Sequence, residues 1–183
     1  MFATPLGDGA DLRPLEPWQA DEFLAHMERG TREHIRPWVG KTFPPENLER
    51  ARHILQRYAD RRCRDDGGIW GIWLDGVLVG GVLLVSFDAE GGVCEAGCWL
   101  EPTATGKGLV TRAATVLLDW VFRVRGMHRV EWHTRADNVA SGAVAQRLGM
   151  TLDGTMRESW LTIDDRRVDT NIWSVLAPEW LAR

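Results

Sequence analysis

The sequence predicts an α+β domain: one mixed, mostly antiparallel sheet with helices on both of its faces. Three observations predict it. The hydrophobic period changes along the chain in the order β-α-α-β-β-β-α-β-α-β-β. An Asp75-Gly76 pair, the dipeptide suited to a two-residue hairpin turn, separates two apolar strand-like runs. A strand, an amphipathic helix and a second strand then follow one another between residues 92 and 137. Such a crossover makes its two strands parallel within an otherwise antiparallel sheet.

Each element has its own warrant. "ADLRPL" (10–15) reads as a short first strand. "PWQADEFLAHMERG" (17–30) reads as a helix, with Pro17 tolerated at its start and Gly30 at its end. "TREHIRPWVGKTFPP" (31–45) is broken by prolines and reads as a structured loop or a short helical turn. From Glu46 to Arg64, Leu48, Ala51, Leu55 and Tyr58 recur at helical spacing, opposite the arginines 50, 57 and 61 of a solvated face. "GIWGIWLDGVLVGGVLLVSFD" (68–88) is a pair of strands about the Asp75-Gly76 turn, and "GVCEAGCWLEP" (92–102) is a third, stopped by Pro102. Leu109, Ala113, Val116, Leu117, Trp120, Val121 and Val124 mark the apolar stripe of a helix ending near Gly126. "HRVEWHTRAD" (128–137) alternates as a strand. "NVASGAVAQRLG" (138–149) is a short helix, with Asn138 as its N-cap and Gly149 just past its end. Strands over roughly 150–161 and 167–176 flank the turn "IDDRR".

Composition bounds what the chain does. Its 183 residues suit a single domain spanning 1–183 and allow a sizeable core. A net charge of −4 provides no general pull toward nucleic acid or an anionic membrane. The longest apolar run, "GVLVGGVLLV" (76–85), is too short to span a bilayer. The first residues lack the basic and apolar regions of a secretory signal, so a cytoplasmic setting is expected. Cys63, Cys94 and Cys98 make neither a disulfide framework nor a C-x-x-C zinc spacing, so no metal is expected. Ten tryptophans against one tyrosine suggest mostly core indoles, with a few lining a pocket.

The chemistry concentrates in "EPTATGKGLVTRAATVLLDWVF" (101–122). Here a strand ends in a loop with glycines at 106 and 108, and the loop opens a helix with no strong capping residue before it. An uncapped helix start offers up to four free N–H donors and roughly half a positive charge. Glycines let an anion approach that backbone, and a phosphate or diphosphate is the natural ligand. The pattern is not the Walker loop, since Lys107 stands between the glycines. It is not the dinucleotide fingerprint either, since Thr111 occupies the place of the third glycine. About thirty residues on, Asn138 opens the next helix and Ser141 follows three later. Asn138 reads either as a simple cap or as a group that points, with Ser141, into a gap between two splayed strands. An amide there serves an amide-bearing ligand, and a hydroxyl gives or takes a proton.

The strings "GCWLEPTATGKGLVTRAATVLLDWVF", "HRVEWHTRADNVASGAVAQRLGM" and "LDGTMRESW" resemble the GNAT superfamily of acyl-CoA-dependent N-acyltransferases. The nearer likeness is to the RimJ/RimL branch, the ribosomal-protein N-terminal acetyltransferases and their relatives. The resemblance covers residues 10–176. It implies a GNAT-like fold with a splayed strand pair, and acetyl-CoA or another acyl-CoA as co-substrate. It implies direct transfer of the acyl group, most simply acetyl, to a primary amine.

The family's diphosphate loop, Q/R-x-x-G-x-G/A, would fall on Thr103, Gly106 and Gly108. Thr103 departs from the long polar residue usual there. The resemblance therefore assigns coenzyme binding to Ala104, Thr105, Gly106, Lys107, Gly108 and Leu109. It lays the pantetheine along Cys98, Trp99 and Leu100, with an N–H near Trp99 or Leu100 polarising the thioester carbonyl. Asn138 matches the family's ligand-binding asparagine, and Ser141 the serine that protonates the leaving thiolate. Ala145 stands where other members carry a tyrosine.

In this branch a carboxylate on the late strand is the usual base, but Trp160 stands at that place. Glu158, two residues earlier and expected on the same strand face, takes the role directly or through a water. Glu131 and His133 share a face and read as solvent-exposed or structural, with His133 a secondary candidate. Trp38 and Phe43 are expected walls of the acceptor site. The amine remains open among protein N-termini, aminoglycosides, polyamines and other small amines. A succinyl donor, served by a cation between residues 32 and 41, and a non-catalytic acyl-CoA-binding domain are the alternatives. The resemblance also admits a homodimer.

Overall fold

A computed structural model describes residues 3–40 and 43–183 and, for residues 30–32, the backbone alone. Eight strands form one sheet in the order β1-β2-β3-β4-β5-β6-β8-β7. They are β1 (Thr4–Gly7), β2 (Ala10–Pro14), β3 (Gly68–Leu74), β4 (Val77–Asp88), β5 (Val93–Leu100), β6 (Arg129–Arg135), β7 (Thr151–Leu161) and β8 (Arg167–Leu176). Every neighbouring pair is antiparallel except β5 and β6, which run parallel. That is the crossover expected from the sequence, and α4 (Leu109–Asp119) makes the connection.

The helices divide between the two faces. α1 (Ala20–His26), α2 (Arg32–Ile35) and α3 (Leu48–Cys63) cover one face, where Phe23, Met27, Ile54, Leu55, Tyr58 and Trp99 are buried together. α4, α5 (Val139–Arg147) and α6 (Ala177–Leu181) cover the other around Leu117, Val121, Val130, Trp132 and Leu148. α3 is capped by Asn47, whose side chain accepts from the Arg50 N–H at 2.8 Å. In the β3–β4 turn, Asp75 and Gly76 both take positive φ (49° and 80°), the conformation a type I′ hairpin demands.

Several boundaries differ from the sequence expectation. The first helix begins as a 3₁₀ turn over Pro17–Gln19 and continues past His26 as a wide turn over Met27–Thr31. The stretch after it is two short helical pieces, α2 and a 3₁₀ turn at Arg36–Trp38. α4 yields to a wide turn over Trp120–Val124. β1 and α6 were not expected at all. No helix among the described residues is long and apolar enough to cross a membrane.

Candidate active site

The fork between β5 and β6 follows from their register. They pair at only three positions, Val93↔Arg129, Cys94↔Val130 and Glu95↔Glu131. Beyond that rung β5 stays on β4 as far as Leu100, while β6 stays on β8 as far as Arg135. The gap opens at their C-terminal ends. Glu101 N–H bonds to Val79 O at 2.9 Å, and the register places Trp99 opposite Gly81. Alternation then turns the Trp99 N–H toward β4, and the N–H groups of Cys98 and Leu100 into the gap. Of the two residues expected to polarise a carbonyl, the backbone geometry favours Leu100. The Trp99 indole packs into the core on the α1 and α3 face.

At the mouth of the fork lies the glycine loop. Gly106 and Gly108 take φ of 76° and 70°, and a Cβ added at either would meet nothing within 4 Å. They are glycines because of their backbone conformation and the openness of the space before them, which leaves room for a ligand. Gly108 caps α4 with no side-chain bond, and the first helical bond is Arg112 N–H to Gly108 O at 3.0 Å. Among the described residues, the amides of Gly106, Lys107, Gly108, Leu109, Val110 and Thr111 have no protein acceptor. A free helix N-terminus beside a chain of open amides fits a diphosphate.

Two struts hold this loop. The Arg112 guanidinium donates to Leu6 O and Asp8 (both 2.8 Å) and to Lys107 O (3.1 Å), tying the loop to the β1–β2 hairpin. At its other end Glu101, 8% exposed, accepts from Thr103 Oγ1 (2.6 Å) and lies 3.3 Å from His26 Nδ1 and 3.4 Å from Arg29. The Trp99 indole N–H donates to His26 Nε2 at 3.1 Å, which leaves the imidazole proton on Nδ1, facing Glu101. Burial holds the fully enclosed His26 neutral, with its pKa down at about 4. Thr103 thus points back to Glu101 instead of reaching toward a phosphate. The sequence reading missed this buried His26–Glu101 contact, because their 75-residue separation leaves no local signal.

Asn138 does cap α5: its side-chain oxygen accepts from the Ser141 N–H at 3.1 Å, leaving the amide NH₂ without a protein partner among the described residues. Capping and ligand binding are therefore compatible. Ser141 Oγ accepts a hydrogen bond from the Trp132 indole at 2.9 Å, which fixes the hydroxyl oxygen and leaves its proton to donate elsewhere. Trp132 itself is buried in the core beneath α4 and α5. Burial pushes the thiol of Cys98 up to about 12, so it is no nucleophile at neutral pH, consistent with direct transfer.

Glu158 is placed otherwise than its spacing suggested. β7 bulges between Met156 and Trp160, and Glu158 takes a left-handed φ of 50°, so two-residue alternation with Trp160 fails. Glu158 is exposed, its N–H is held by Asp169 at 2.9 Å, and β8 and β6 stand between its strand and the gap. Trp38, half-buried, lies beneath the Arg135 guanidinium at the end of β6 (4.8 Å to the ring centre). Phe43 stacks edge-on to Trp99 at 5.5 Å. Both flank the fork on the α1 and α3 side. Lys41, one of the cations expected to suit a succinyl group, lies outside the described residues.

Comparison with known proteins agrees with this geometry. Residues 11–151 match the family model of the acetyltransferase (GNAT) domain. The chain is 28% identical over 181 residues to "Putative ribosomal N-acetyltransferase YdaF" of Bacillus subtilis (strain 168), covering 98% of each protein. Its fold matches RimL, the ribosomal L7/L12 α-N-protein acetyltransferase in complex with coenzyme A, with a TM-score of 0.88. The identity there is 19%, over 95% of this chain and 97% of that one. It also matches the ribosomal-protein-S5-alanine acetyltransferase from Vibrio fischeri, with a TM-score of 0.87 at 18% identity over 98% and 99% of the two chains. The chain belongs to the GNAT acetyltransferase family, within the likeness of its RimJ/RimL branch. Its activity is acyl-CoA-dependent N-acetyltransfer.

Proposed function

We propose that the protein transfers the acetyl group of acetyl-CoA to the N-terminal amine of a ribosomal protein, in the cytoplasm. The single observation that carries the coenzyme half is the run of open amides from Gly106 to Thr111, set at the mouth of the β5–β6 fork. The Gly106–Leu109 backbone, Lys107 included, holds the diphosphate, whereas the amides of Ala104 and Thr105, also expected in this cradle, are taken up by Glu101 O and Pro102 O. Cys98 and Leu100 line the thioester arm, and the Leu100 N–H receives the carbonyl oxygen as negative charge develops on it. Asn138 offers its free NH₂ to the pantetheine. Ser141, steadied by Trp132, gives its proton to the departing sulfur. Trp38 and Phe43 wall the acceptor's approach. The acceptor class is supported by the names of the relatives, a putative ribosomal N-acetyltransferase and two ribosomal-protein acetyltransferases.

Two measurements test this. Acetyl-CoA should raise the melting temperature, since a ligand selective for the native state stabilises it. Coenzyme A release should then be fastest with peptides bearing a free N-terminal serine or alanine, and slow with polyamines, aminoglycosides or succinyl-CoA. Preferential turnover of a small amine would displace the ribosomal acceptor. Ser141→Ala should lower kcat about 100-fold, the size of a positioned general acid, while acetyl-CoA affinity changes little. An unchanged kcat would remove Ser141 from the chemistry.

A further inference from the structure

The proton leaving the acceptor amine needs a destination, and the fork contains one that Glu158 does not provide. Glu95 and Glu131 form the last paired rung of β5 and β6, and His133 is the next residue of β6 on the same face. This is the face that carries Trp99 and α3, where Tyr58 feels the charge of Glu95. Ser141 and Trp132 belong to the opposite face, under α4 and α5. The thioester arm in the gap thus has a hydroxyl donor on one side and an imidazole on the other.

The hydrogen bonds settle which imidazole nitrogen is available. His133 Nε2 lies 2.7 Å from Glu131 Oε2, and Arg129 donates to the other Glu131 oxygen at 2.8 Å. Burial acts against it, but the bonds from Arg129 and His133 hold the Glu131 carboxyl below its ordinary range. An ionised carboxylate only accepts, so Nε2 carries the proton and Nδ1 presents its lone pair. Nδ1 looks across the fork to Glu95 Oε2 at 3.6 Å, a separation longer than a hydrogen bond. All three side chains are about three-quarters buried. The other charged groups around them are Arg129, with Asp153 behind it, and Arg57 and Arg61 beside Tyr58 on α3.

We propose that His133 is the proton acceptor of the transfer, with Glu131 as its positioning residue and Glu95 as the carboxylate that receives the incoming ammonium. This rests on the acetyltransferase reading above and deepens it. The ammonium gives one proton to His133 Nδ1, and the freed lone pair forms the N–C bond to the acetyl carbon. The C–S bond breaks with its electron pair on sulfur, which takes a proton from Ser141. The nitrogen sheds its second proton as the amide forms, Ser141 recovers a proton from it, and His133 releases its own to water.

The test uses the full chain with acetyl-CoA and an N-terminal serine peptide. His133→Gln should lower kcat/KM about 100-fold, with acetyl-CoA affinity and melting temperature close to those of the unsubstituted protein. Its residual rate should climb with hydroxide, without the plateau that a titrating base imposes. Glu131→Gln should shift the acid limb of the pH–rate profile. Glu95→Gln should act mainly on the peptide's KM. Retention of most activity by His133→Gln, or a loss confined to Glu158→Gln, would overturn the proposal. A second measurement is independent of turnover: nitrogen spectra of the resting protein should show His133 as the Nε2–H tautomer. The Nδ1–H tautomer would overturn it whatever the rates. Failure of the acetyltransferase reading looks different, as acetyl-CoA bound but no coenzyme released by the unsubstituted protein with any amine.

Discussion

Three helix starts in this molecule make an instructive set. α3 and α5 begin with asparagines, Asn47 and Asn138, each accepting a bond from the amide three residues on. α4 begins with Gly108 in a left-handed conformation and no side-chain cap. Capping with asparagine instead of an apolar residue is worth about 1 kcal/mol, so the two closed helices satisfy their own termini. The open one leaves that work to a ligand. An unfilled cap on a helix so well packed (Leu109, Ala113, Ala114, Leu117 and Leu118 are all buried) is a functional signal.

The contrast is easily tested. The largest effect should come from closing the open end with charge. Asp tolerates the left-handed region at a cost of about 1 kcal/mol, so Gly108→Asp should fold. Its carboxylate would face the diphosphate, and like-charge opposition of about 3 kcal/mol corresponds to roughly 100-fold weaker acetyl-CoA binding. Calorimetry showing unchanged affinity would mean the phosphates do not sit there.

Next in size is an acid effect on the strut behind the loop. Because His26 stays neutral when folded, between pH 6.5 and about 4 the unfolded chain takes up a proton that the native one refuses. The native state is therefore fully favoured above pH 6.5 and loses about 3 kcal/mol as the pH falls toward 4. His26→Gln should flatten that part of the stability curve. A curve unchanged by the substitution would show that His26 is not the group responsible.

Opening the closed ends comes third. Asn47→Ala and Asn138→Ala should each cost about 1 kcal/mol, a shift of about 2–4 °C in melting temperature. Only Asn138→Ala should also raise the KM for acetyl-CoA, and equal KM values for the two would reduce Asn138 to a cap. The smallest change expected is a gain. Thr103→Gln restores a long polar side chain beside the loop and should tighten acetyl-CoA binding by about twofold, since one exposed hydrogen bond is worth at most about 0.5–1.5 kcal/mol.

What could be read from the sequence was local. The Asp75-Gly76 turn, the α4 stripe as far as Val121, the Asn138 cap and the parallel crossover are short-range patterns, and each stands where the periodicities put it; Val124, expected to end the stripe, is exposed because the wide turn after α4 breaks the helical period. The β1–β2 hairpin carries the same Asp-Gly signal at Asp8-Gly9, both with positive φ, and was equally legible. The shared face expected of Glu158 and Trp160 is not legible from spacing, because alternation holds only in regular strand and one left-handed residue in a bulge resets it. The Glu95–His133 approach joins residues on strands separated by a whole helix, and no spacing encodes it. The Trp132–Ser141 bond spans only nine residues, yet it depends on α5 folding back over β6.

The Arg112 strut has a practical consequence. Its guanidinium reads the carbonyl of Leu6 and the carboxylate of Asp8 on one side and the carbonyl of Lys107 on the other. Residues 4–8 are thereby a brace for a loop a hundred positions away. Trimming them, or crowding them with a bulky fusion, would register as weakened coenzyme affinity before any loss of the fold.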